Sequence, residues 1–468
     1  MNGPKIEPTI VRQGDVAKAQ PRLERVVFKT SRFLDFVGER ELTTQVGHPV
    51  EEWPLVILKE VTDNGLDSCE EARTAPVITV EVATTPGAAA IKISENGPGI
   101  ADETITNIVD DSVRVSSREA YVSPARGAQG NALKTILAMG FALSGEHGET
   151  VIESRGAAHR IVFAADRIRQ EPRLEHATRP SLTKTEAVVT VRWPDSACSV
   201  LTDARSRFLQ IADDFGWFNP HLTLSLIWNG EIVVMPSAST PNWSKWRPSD
   251  PTSAHWYDRA RLGRYIAAHL SRDQDLGRSR TVREFVAEFR GLSGSHKQKQ
   301  VLNEIGAARV SLGGFASNST DLDHDAVARL LDAMQRHTKP PKAQDLGVIG
   351  REHLLNRFLA YGVHRETFKY KAVIGDTEDG LPVVIETAFG WCPQDLEERR
   401  IVTGVNFSVA LGNPFRSFGQ TGEGLENLLA QQRAGRREPI IFVLHMASPR
   451  VEFADRGKTA LVIGERRA

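Results

Sequence analysis

Apolar and polar residues alternate along several short segments of the chain, and this period of two is typical of strands with one buried face. The clearest case is the segment LTLSLIW, which is followed by Asn229-Gly230 and then by EIVVM. Because Asn-Gly readily adopts the backbone conformation of a type I′ turn, these residues predict a β-hairpin. The same alternation predicts strands in VITVEV, AIKIS, TVIESR, HRIVFAA, EAVVTVRW, LPVVIETAFGW, VTGVNFSVAL and PIIFVLHMA.

Helices are predicted between these strands. The segment VTDNGLDSCEEA indicates a helix with its acidic residues on one face, and NALKTILAMGFAL indicates an apolar helix. Residues 255–340 are mostly helical and basic, whereas residues 236–270 are rich in Pro, Ser and Trp, as a linker would be. We therefore expect an α/β protein with an N-terminal arm at residues 1–30 and three further parts. These parts are residues 31–235, residues 236–340 (linker and helical module) and residues 341–468.

Composition limits the classes of protein that fit this pattern. The 468 residues are 40% hydrophobic and 25% charged, which is the balance of ordinary globular domains. The formal net charge of -1 gives no global electrostatic reason to bind nucleic acid, so a DNA contact would need a local basic face. Three cysteines without a CxxC spacing argue against a disulfide framework or a zinc cluster. With no apolar run of about 20 residues, we expect a cytoplasmic protein and no membrane contact.

Glu60 and Asn64 form the first candidate functional pair. Positions four residues apart lie on one face of a helix, so both side chains point the same way. A carboxylate at Glu60 can activate a water, and the amide oxygen of Asn64 can join a magnesium shell, because Mg²⁺ prefers oxygen ligands. Taken alone, the pair is also what a solvated helix face would contain.

Two glycine-containing segments follow this pair. In Glu95-Asn-Gly97-Pro-Gly99 the glycines have no side chain, so a ligand can approach the backbone closely. A carboxylate at the end of a strand can accept the amino hydrogens of an adenine. A plain turn is the simpler interpretation of this segment alone. The second segment precedes an apolar helix, where bare backbone N–H groups and the positive helix N-terminus suit a phosphate. Its residues are Arg126, Gly127, Ala128, Gln129 and Gly130.

In this order and spacing, the three segments resemble the nucleotide site of the GHKL superfamily. Gyrase-type topoisomerases, the ninety-kilodalton heat-shock chaperone, mismatch-repair proteins and histidine kinases share that site. The surrounding residues resemble the B subunit of type IIB topoisomerases (topoisomerase VI): EVTDNGLDSCEEA is similar to its ELVDNSLDACEEA, ENGPGI to its DNGPGI, and SPARGAQG to its SRGQQG. The likeness extends through RTVREFVAEFRGLSGSHKQKQVLNEIG, LPVVIETAFGW and IIFVLHMASPRVEFADRGKTAL.

The resemblance implies a GHKL (Bergerat) α/β sandwich, then a small helical module of the helix-two-turns-helix type, then an α/β transducer domain. It also implies ATP as the substrate and Mg²⁺ as the cofactor. Glu60 would activate the hydrolytic water, Asn64 would hold Mg²⁺, and the loop 127–130 would form a lid over the phosphates. The remaining nucleotide-binding positions would be Glu95, Gly97, Gly99, Arg126 and Lys458.

Lys458 is implied to be the switch lysine that reports the γ-phosphate to the transducer domain. A lysine suits this role because its compact charge sits on a flexible stem. ATP binding would join two copies through their N-terminal arms, so the chain would act as a homodimer. Its further partners would be DNA and a topoisomerase VI A-like subunit that cleaves DNA, and the chain would then be associated with the nucleoid.

Several positions depart from the family pattern. Glu95 replaces an aspartate and carries one more methylene, and Ala132 replaces the last glycine of the lid motif. The segment EAVVTV offers Ala or Val where the family places a threonine that supports the adenine-binding aspartate. The chain ends ten residues after Lys458, where the family continues into a long helix that docks on the A subunit. We therefore expect a shortened C-terminus without that helix.

Three other functions stay open at this point. A stand-alone GHKL regulator or clamp in a mobile-element or defence system would bind nucleotide without strand passage, and Glu95 and the short C-terminus favour it. A chaperone-like ATPase would use the same site, but the transducer likeness tells against it. A histidine kinase is disfavoured, because the sequence offers no pair of helices with a phosphoacceptor histidine.

Overall fold

The computed structural model describes residues 38–109, 120–126, 132–166, 171–318, 321–392, 396, 398–417 and 423–463. The expected N-terminal arm (residues 1–30) and lid loop (residues 127–130) lie outside these residues. Within them, two mixed sheets are separated along the chain by a run of helices, which confirms the predicted α/β class. In this described part of the chain, no helix is long and apolar enough to cross a bilayer.

The first part of the chain contributes eight strands to one sheet. These strands are β1 (Val77–Ala83), β2 (Ala90–Glu95), β3 (His147–Ser154), β4 (Ala157–Asp166), β5 (Glu171–Pro180), β6 (Ala187–Arg192), β7 (Thr223–Trp228) and β8 (Glu231–Val234). Their order across the sheet is β5-β4-β3-β6-β2-β1-β7-β8. Neighbouring strands are antiparallel except for β1 and β7, which are parallel. Buried residues alternate along β1, β3 and β7, as the period of two predicted.

Six helices accompany this sheet. They are α1 (Glu39–Val46), α2 (Trp53–Glu71), α3 (Asp102–Val109), α4 (Ala132–Ser144), α5 (Cys198–Asp203) and α6 (Arg205–Phe218). Helix α2 packs on β2, and α4 packs on β3. Pro54 stands in the first turn of α2, where its missing N–H leaves no hydrogen bond unmade. Trp53 and Leu58 of α2 are fully buried, so this helix is a central element of the core.

The middle of the chain is helical, as predicted. It contains α7 (Arg259–Asp275), α8 (Val282–Ala287), α9 (Ser295–Glu304), α10 (Leu312–Ala316), the short pair β9 (Ser317–Asn318) and β10 (Asp321–Leu322), and α11 (His324–Arg336). Thr281 and Glu284 form a reciprocal capping box at the start of α8. The expected linker is packed rather than loose, because Trp246 and Trp256 are buried.

The last part of the chain forms a five-stranded sheet with two helices. Its elements are α12 (Arg351–Ala360), β11 (Lys369–Asp376), β12 (Pro382–Trp391), β13 (Arg400–Val405), β14 (Ser408–Val409), α13 (Leu425–Gln431) and β15 (Ile440–Ala447). The strand order is β11-β12-β15-β13-β14, and β13 and β15 are the parallel pair. The buried carboxylate of Glu386 in β12 accepts the N–H groups of Ile349 and Gly350, which ties the start of α12 to this sheet.

The predicted hairpin is confirmed, because Asn229 and Gly230 have φ values of 51° and 87° between β7 and β8. Besides the short pair β9 and β10, two strands of the larger sheets, β5 and β11, are not predicted by the apolar pattern. Both lie at the edge of a sheet and expose residues on both faces, so their sequences lack an alternation of buried and exposed positions. The division of the chain at residues 235 and 340 stays a prediction.

Candidate functional site

The candidate site lies along helix α2. Glu60, Asn64 and Ser68 follow one another at intervals of four residues, so they form one stripe on the helix surface. The side chain of Glu60 is 18% exposed, and Asn64 is exposed. Glu60 and Asn64 therefore share a face, and that face is open to solvent at the position where a metal would need access.

Lys458 lies against Glu60 at one end of this stripe. Its Nζ is 3.6 Å from Oε1 of Glu60, and Nζ of Lys59 is 3.3 Å from the same oxygen. Burial raises the pKa of Glu60, but the two ammonium groups outweigh it, Lys458 more than Lys59, and lower that pKa to about 2. Glu60 is therefore an ionised carboxylate held by two cations.

The loop that carries Lys458 follows β15 near the end of the chain. Thr459 donates its N–H and its hydroxyl to the carboxylate of Asp455, at 2.9 and 2.8 Å, and these bonds close a tight turn. Lys458 has a φ of 55°, in the left-handed region that residues other than glycine seldom adopt. The loop places Lys458 next to Glu60, although the two residues lie far apart in the sequence.

Glu95 is the last residue of β2, and its carboxylate turns back toward α2. Ser68 Oγ lies 3.5 Å from Oε1, Cys69 Sγ lies 3.4 Å from Oε2, and the N–H of Gly97 donates to Oε2. Burial raises the pKa of Glu95 despite these hydrogen bonds. On β6, the residue paired with Glu95 is Ala187, which has no hydroxyl. The threonine that the family places there has no counterpart at this position. Ser68 supplies a hydroxyl from α2 instead.

Gly97 and Gly99 have no room for a side chain. A Cβ on Gly97 would lie 2.5 Å from Oε2 of Glu95, and one on Gly99 would lie 2.4 Å from Oγ of Ser154. Gly99 also has a φ of 71°, which L-residues rarely adopt. The packing of this loop on Glu95 and on β3 therefore requires both glycines, independently of any bound nucleotide.

The side chain of Arg126 makes its hydrogen bonds inside the protein. Its side chain is fully buried, and its guanidinium donates to Asp67 at 2.7 Å and to Glu70 at 2.8 and 2.7 Å. The remaining N–H groups go to Asn219 and, at 3.3 Å, to the carbonyl of Phe407. A guanidinium has five N–H donors, and all of them are used here. The guanidinium is therefore fully engaged within the protein, and a nucleotide contact through the backbone of Arg126 stays a prediction.

Arg126 belongs to a buried cluster of charges around Glu70. Nζ of Lys245 lies 3.0 Å from Oε2 of Glu70, and Nε2 of His221 lies 3.0 Å from Oε1. Burial raises the pKa of Glu70, but Arg126 and Lys245 hold it well below its ordinary range. Buried charges are tolerated only when they are paired, so this cluster fixes the end of α2 against the segment around Lys245.

Three of the acidic residues of α2 are buried, although their pattern had indicated an acidic helix face. Asp63, Asp67 and Glu70 are 3%, 8% and 8% exposed. Asp63 pairs with Lys59 at 2.8 Å and accepts the hydroxyl of Ser408 at 2.6 Å. Burial lowers the pKa of Lys59, but Asp63 and Glu60 raise it above its ordinary value. Sequence reasoning missed this cluster, although the spacing of the three acids among apolar residues was a signal for it.

A cavity of about 320 Å³ lies beside Lys458. Its walls come from residues 121–126, from β14 with the residues around it, and from the loop that ends in Lys458. Lys59 lines it, whereas Asn64, Glu95, Gly97 and Gly99 do not. The cavity therefore adjoins the Glu60 end of the stripe and not the Glu95 end.

Two curated relatives are similar to this chain. It is 22% identical over 433 residues to the B subunit of type 2 DNA topoisomerase 6 from Archaeoglobus fulgidus. The aligned region covers 87% of this chain and 66% of that protein. It is 34% identical over 94 residues to the protein of the same name from Methanosarcina mazei, covering 20% of this chain and 15% of that one. The chain thus matches just under two thirds of the length of the first relative. No family model matches the chain.

Solved structures also match the chain. The B-subunit of the DNA gyrase from Myxococcus xanthus gives a TM-score of 0.35 at 15% identity, covering 91% of this chain and 86% of that one. The 43K ATPase domain of Thermus thermophilus gyrase B, in complex with an aminocoumarin, gives 0.36 at 12% identity, covering 92% and 88%. The N-terminal domain of a DNA repair protein gives 0.38 at 8% identity, covering 87% of each chain. These TM-scores support no correspondence between individual residues.

The family likeness that the motifs predicted is confirmed by the curated relatives. The fold brings the motif residues of α2 together with Glu95 at one end of the stripe and with Lys458 at the other. This chain is similar, over 87% of its length, to the B subunit of type 2 DNA topoisomerase 6.

Proposed function

We propose that the chain binds ATP with Mg²⁺ along α2 and hydrolyses its γ-phosphate. The observation that carries the proposal is the approach of Lys458 to Glu60, at 3.6 Å, from a loop at the far end of the chain. A cation can pair with the γ-phosphate, and a carboxylate beside it can take the proton of an attacking water. The two groups that hydrolysis needs therefore lie at one end of the stripe.

The residues along the stripe fit a nucleotide with its metal. Asn64 is exposed and offers one amide oxygen, and Mg²⁺ usually keeps several waters and takes few protein ligands beside phosphate oxygens. Gly97 and Gly99 leave the backbone bare beside Glu95, where a flat base can approach. When bound, Mg²⁺ would offset the charge of the phosphates. The loop 127–130 would complete the enclosure as a lid.

Glu60 is the proposed base, and Lys458 controls its strength. Burial raises the pKa of Glu60, yet Lys458 and Lys59 lower it to about 2, where a carboxylate is a weak base. A γ-phosphate would compete with Glu60 for the ammonium of Lys458. As that ammonium turns to the phosphate, the pKa of Glu60 rises and the carboxylate accepts a proton more readily. The γ-phosphate would thus strengthen the base that activates the attacking water.

We further infer that the chain is an ATP-operated dimerisation gate for a DNA-cleaving partner. Its similarity to the B subunits of type 2 DNA topoisomerase 6 supports this role. Two copies would join through residues 1–30 when ATP is bound, and the partner would be a topoisomerase VI A-like subunit acting on DNA. Ser408 of β14 donates to Asp63, three residues after Glu60, and this hydrogen bond joins α2 to the second sheet.

A stand-alone nucleotide-dependent regulator or clamp, in a mobile-element or defence system and without strand passage, is the second candidate. The observation that favours it is the environment of Glu95. Its carboxylate already accepts hydrogen bonds from Ser68, Cys69 and Gly97, so an adenine would have to share or displace them. This competition would weaken the contact with adenine on which an active ATPase depends.

Calorimetric titration with a non-hydrolysable ATP analogue and Mg²⁺ tests nucleotide binding, and phosphate release tests hydrolysis. We expect binding together with slow release of phosphate. No binding at millimolar concentrations would refute the proposal. Light scattering with and without the analogue then tests the gate, for which we expect a change from monomer to dimer. A monomer under both conditions, with binding intact, would favour the regulator.

A further inference from the structure

His48 joins the loop of Lys458 to the start of the helix that carries Glu60. Its Nε2 lies 3.0 Å from the carbonyl oxygen of Gly457, and its Nδ1 lies 2.7 Å from Oε2 of Glu52. Glu52 immediately precedes α2. His48 itself is 7% exposed, and its carbonyl accepts the indole N–H of Trp53 at 3.2 Å. The ring therefore has a fixed place between the loop and the helix.

The two backbones touch beside this histidine. A Cβ on Gly47 would lie 2.1 Å from the nitrogen of Gly457, and a Cβ on Gly457 would lie 2.5 Å from the carbonyl oxygen of Gly47. Neither glycine can be replaced by a residue with a side chain unless the facing backbone segment moves. Because Lys458 is the next residue after Gly457, the way this loop rests on Gly47 and His48 determines where the ammonium of Lys458 lies.

Both partners of the His48 ring are hydrogen-bond acceptors. A carbonyl oxygen and an ionised carboxylate have no proton to donate, so each contact needs an N–H on the imidazole. Neutral imidazole has one N–H, and imidazolium has two. The contacts to Gly457 and Glu52 can therefore exist together only while His48 is protonated, and loss of the proton removes one of them.

We propose that His48 is a positioning residue whose protonation latches the loop of Lys458 against the start of α2 and so sets the response of the site to a γ-phosphate. The carboxylate of Asp455 is hydrogen-bonded to Thr459, and the carboxylate of Glu60 is paired with Lys458. Glu52 is therefore the carboxylate that contacts the His48 ring. This proposal rests on the proposed ATPase function. The charged residues on the elements that meet here are Glu39, Arg40 and Glu41 of α1, Glu51 and Glu52 before α2, Lys59, Glu60, Asp63, Asp67, Glu70 and Glu71 of α2, and Asp455, Arg456 and Lys458 of the loop.

The latch predicts a direction for the effect of pH. Histidine side chains ordinarily exchange their proton between about pH 5 and about pH 8. At the acidic end of this interval both contacts are made, and Lys458 is held at the site. As the pH rises, one contact is lost and the loop is less firmly held. The preference of the protein for an ATP analogue over ADP is therefore expected to be highest at the acidic end and to fall as the pH rises.

The first test measures the ratio of the two dissociation constants, for ADP and for a non-hydrolysable ATP analogue, across this pH interval. His48→Ala should lower the preference for the analogue about three- to tenfold at the acidic end, the effect of losing one hydrogen bond, and should flatten its dependence on pH. His48→Gln keeps a donor that does not titrate, so it should retain the preference but not its pH dependence. The control is His364→Ala, because His364 is half-exposed and far from this contact along the chain.

A second test needs no nucleotide. Hydrogen exchange of the peptide that spans residues 455–459 should be faster in His48→Ala than in the wild type at the acidic end, and this difference should become smaller at the alkaline end, where neutral His48 keeps one of its two contacts. If this difference is found but no nucleotide binds, the proposed ATPase function fails and the latch stands. If nucleotide binds but the peptide exchanges equally in both proteins at every pH, the latch is wrong. An unchanged preference and pH dependence in His48→Ala would overturn it as well.

Discussion

The ammonium of Lys458 lies 3.6 Å from the carboxylate of Glu60, so the proposed sensor of the γ-phosphate also weakens the proposed base. Burial raises the pKa of Glu60, and Lys458 and Lys59 then bring it down to about 2. Without a γ-phosphate to attract the ammonium, the base would stay weak. One ion pair would thus limit hydrolysis until the correct substrate is bound. Substitution of Glu60 and substitution of Lys458 should therefore have different effects.

Replacing Glu60 by Gln should stop phosphate release while ATP still binds, because the general base is lost and the ground-state contacts remain. A reduction of about 10²- to 10⁴-fold in turnover is expected for such a loss. Asn64→Ala should instead remove the part of the ATP affinity that depends on Mg²⁺. Calorimetry with and without Mg²⁺, beside a phosphate-release assay, separates the two effects. Equal losses of affinity in both variants would contradict these roles, and Asn303→Ala on the exposed side of α9 is the control.

Lys458→Ala should weaken binding of an ATP analogue and leave ADP affinity nearly unchanged, because ADP has no γ-phosphate for the lysine to reach. Charge-assisted hydrogen bonds contribute roughly 1.5–3 kcal/mol, so a loss of about ten- to a hundredfold in affinity is expected. Paired titrations with the two ligands measure it. The exposed Lys369→Ala on β11 serves as the control. Equal effects on both ligands, or on neither, would remove Lys458 from the site.

Arg126→Ala should destabilise the fold strongly, because it leaves Glu70 and Asp67 as buried carboxylates without their main partner. Breaking a buried pair by removing one partner typically costs about 3–5 kcal/mol. Urea denaturation measures the change in the free energy of unfolding. Arg173→Ala removes an ion pair of similar geometry whose arginine is 70% exposed, and it should change this free energy by less than about 0.5 kcal/mol. Equally small changes in both variants would show that the cluster does not stabilise α2.

Contact with DNA is expected at α9, where Lys297 and Lys299 are exposed. Each phosphate neutralised adds about 0.9 to the slope of log affinity against log salt concentration, so replacing both lysines by Ala should reduce this slope by about 2. Fluorescence anisotropy with duplex DNA at several salt concentrations measures the slope. Replacing the exposed Lys369 and Lys371 of β11 should leave it unchanged. An affinity that does not vary between low and physiological salt would exclude this mode of binding.

Local patterns account for the parts of the molecule that the sequence predicted. The interval of four residues between Glu60 and Asn64 defines a helix face without knowledge of the rest of the fold. In the same way, Asn229-Gly230 defines its turn through backbone preferences alone. The position of Lys458 was predicted from the family likeness and not from any local rule, because nothing in the residues around it indicates a partner so distant along the chain.

Contacts between distant segments account for what was missed. Arg126 precedes a glycine-containing loop, and nothing in that local pattern predicts that the carboxylates of α2 hold its guanidinium in the core. Lys245 lies in a segment whose composition indicated a linker, and only the folded structure shows it buried against Glu70. Whether a charge is buried depends on neighbours from elsewhere in the sequence, which a periodic pattern does not reveal.

The buried carboxylates of α2 also limit where the chain can be divided into stable fragments. Helix α2 lies in the first part of the chain, but it pairs Glu70 with Lys245 and Asp63 with Ser408, which lie beyond the expected boundary at residue 235. A fragment cut at that boundary would keep these buried carboxylates and lose two of the groups that compensate them. We therefore expect that limited proteolysis will not release residues 31–235 as a stable piece, and that expression of this fragment alone will yield aggregated protein.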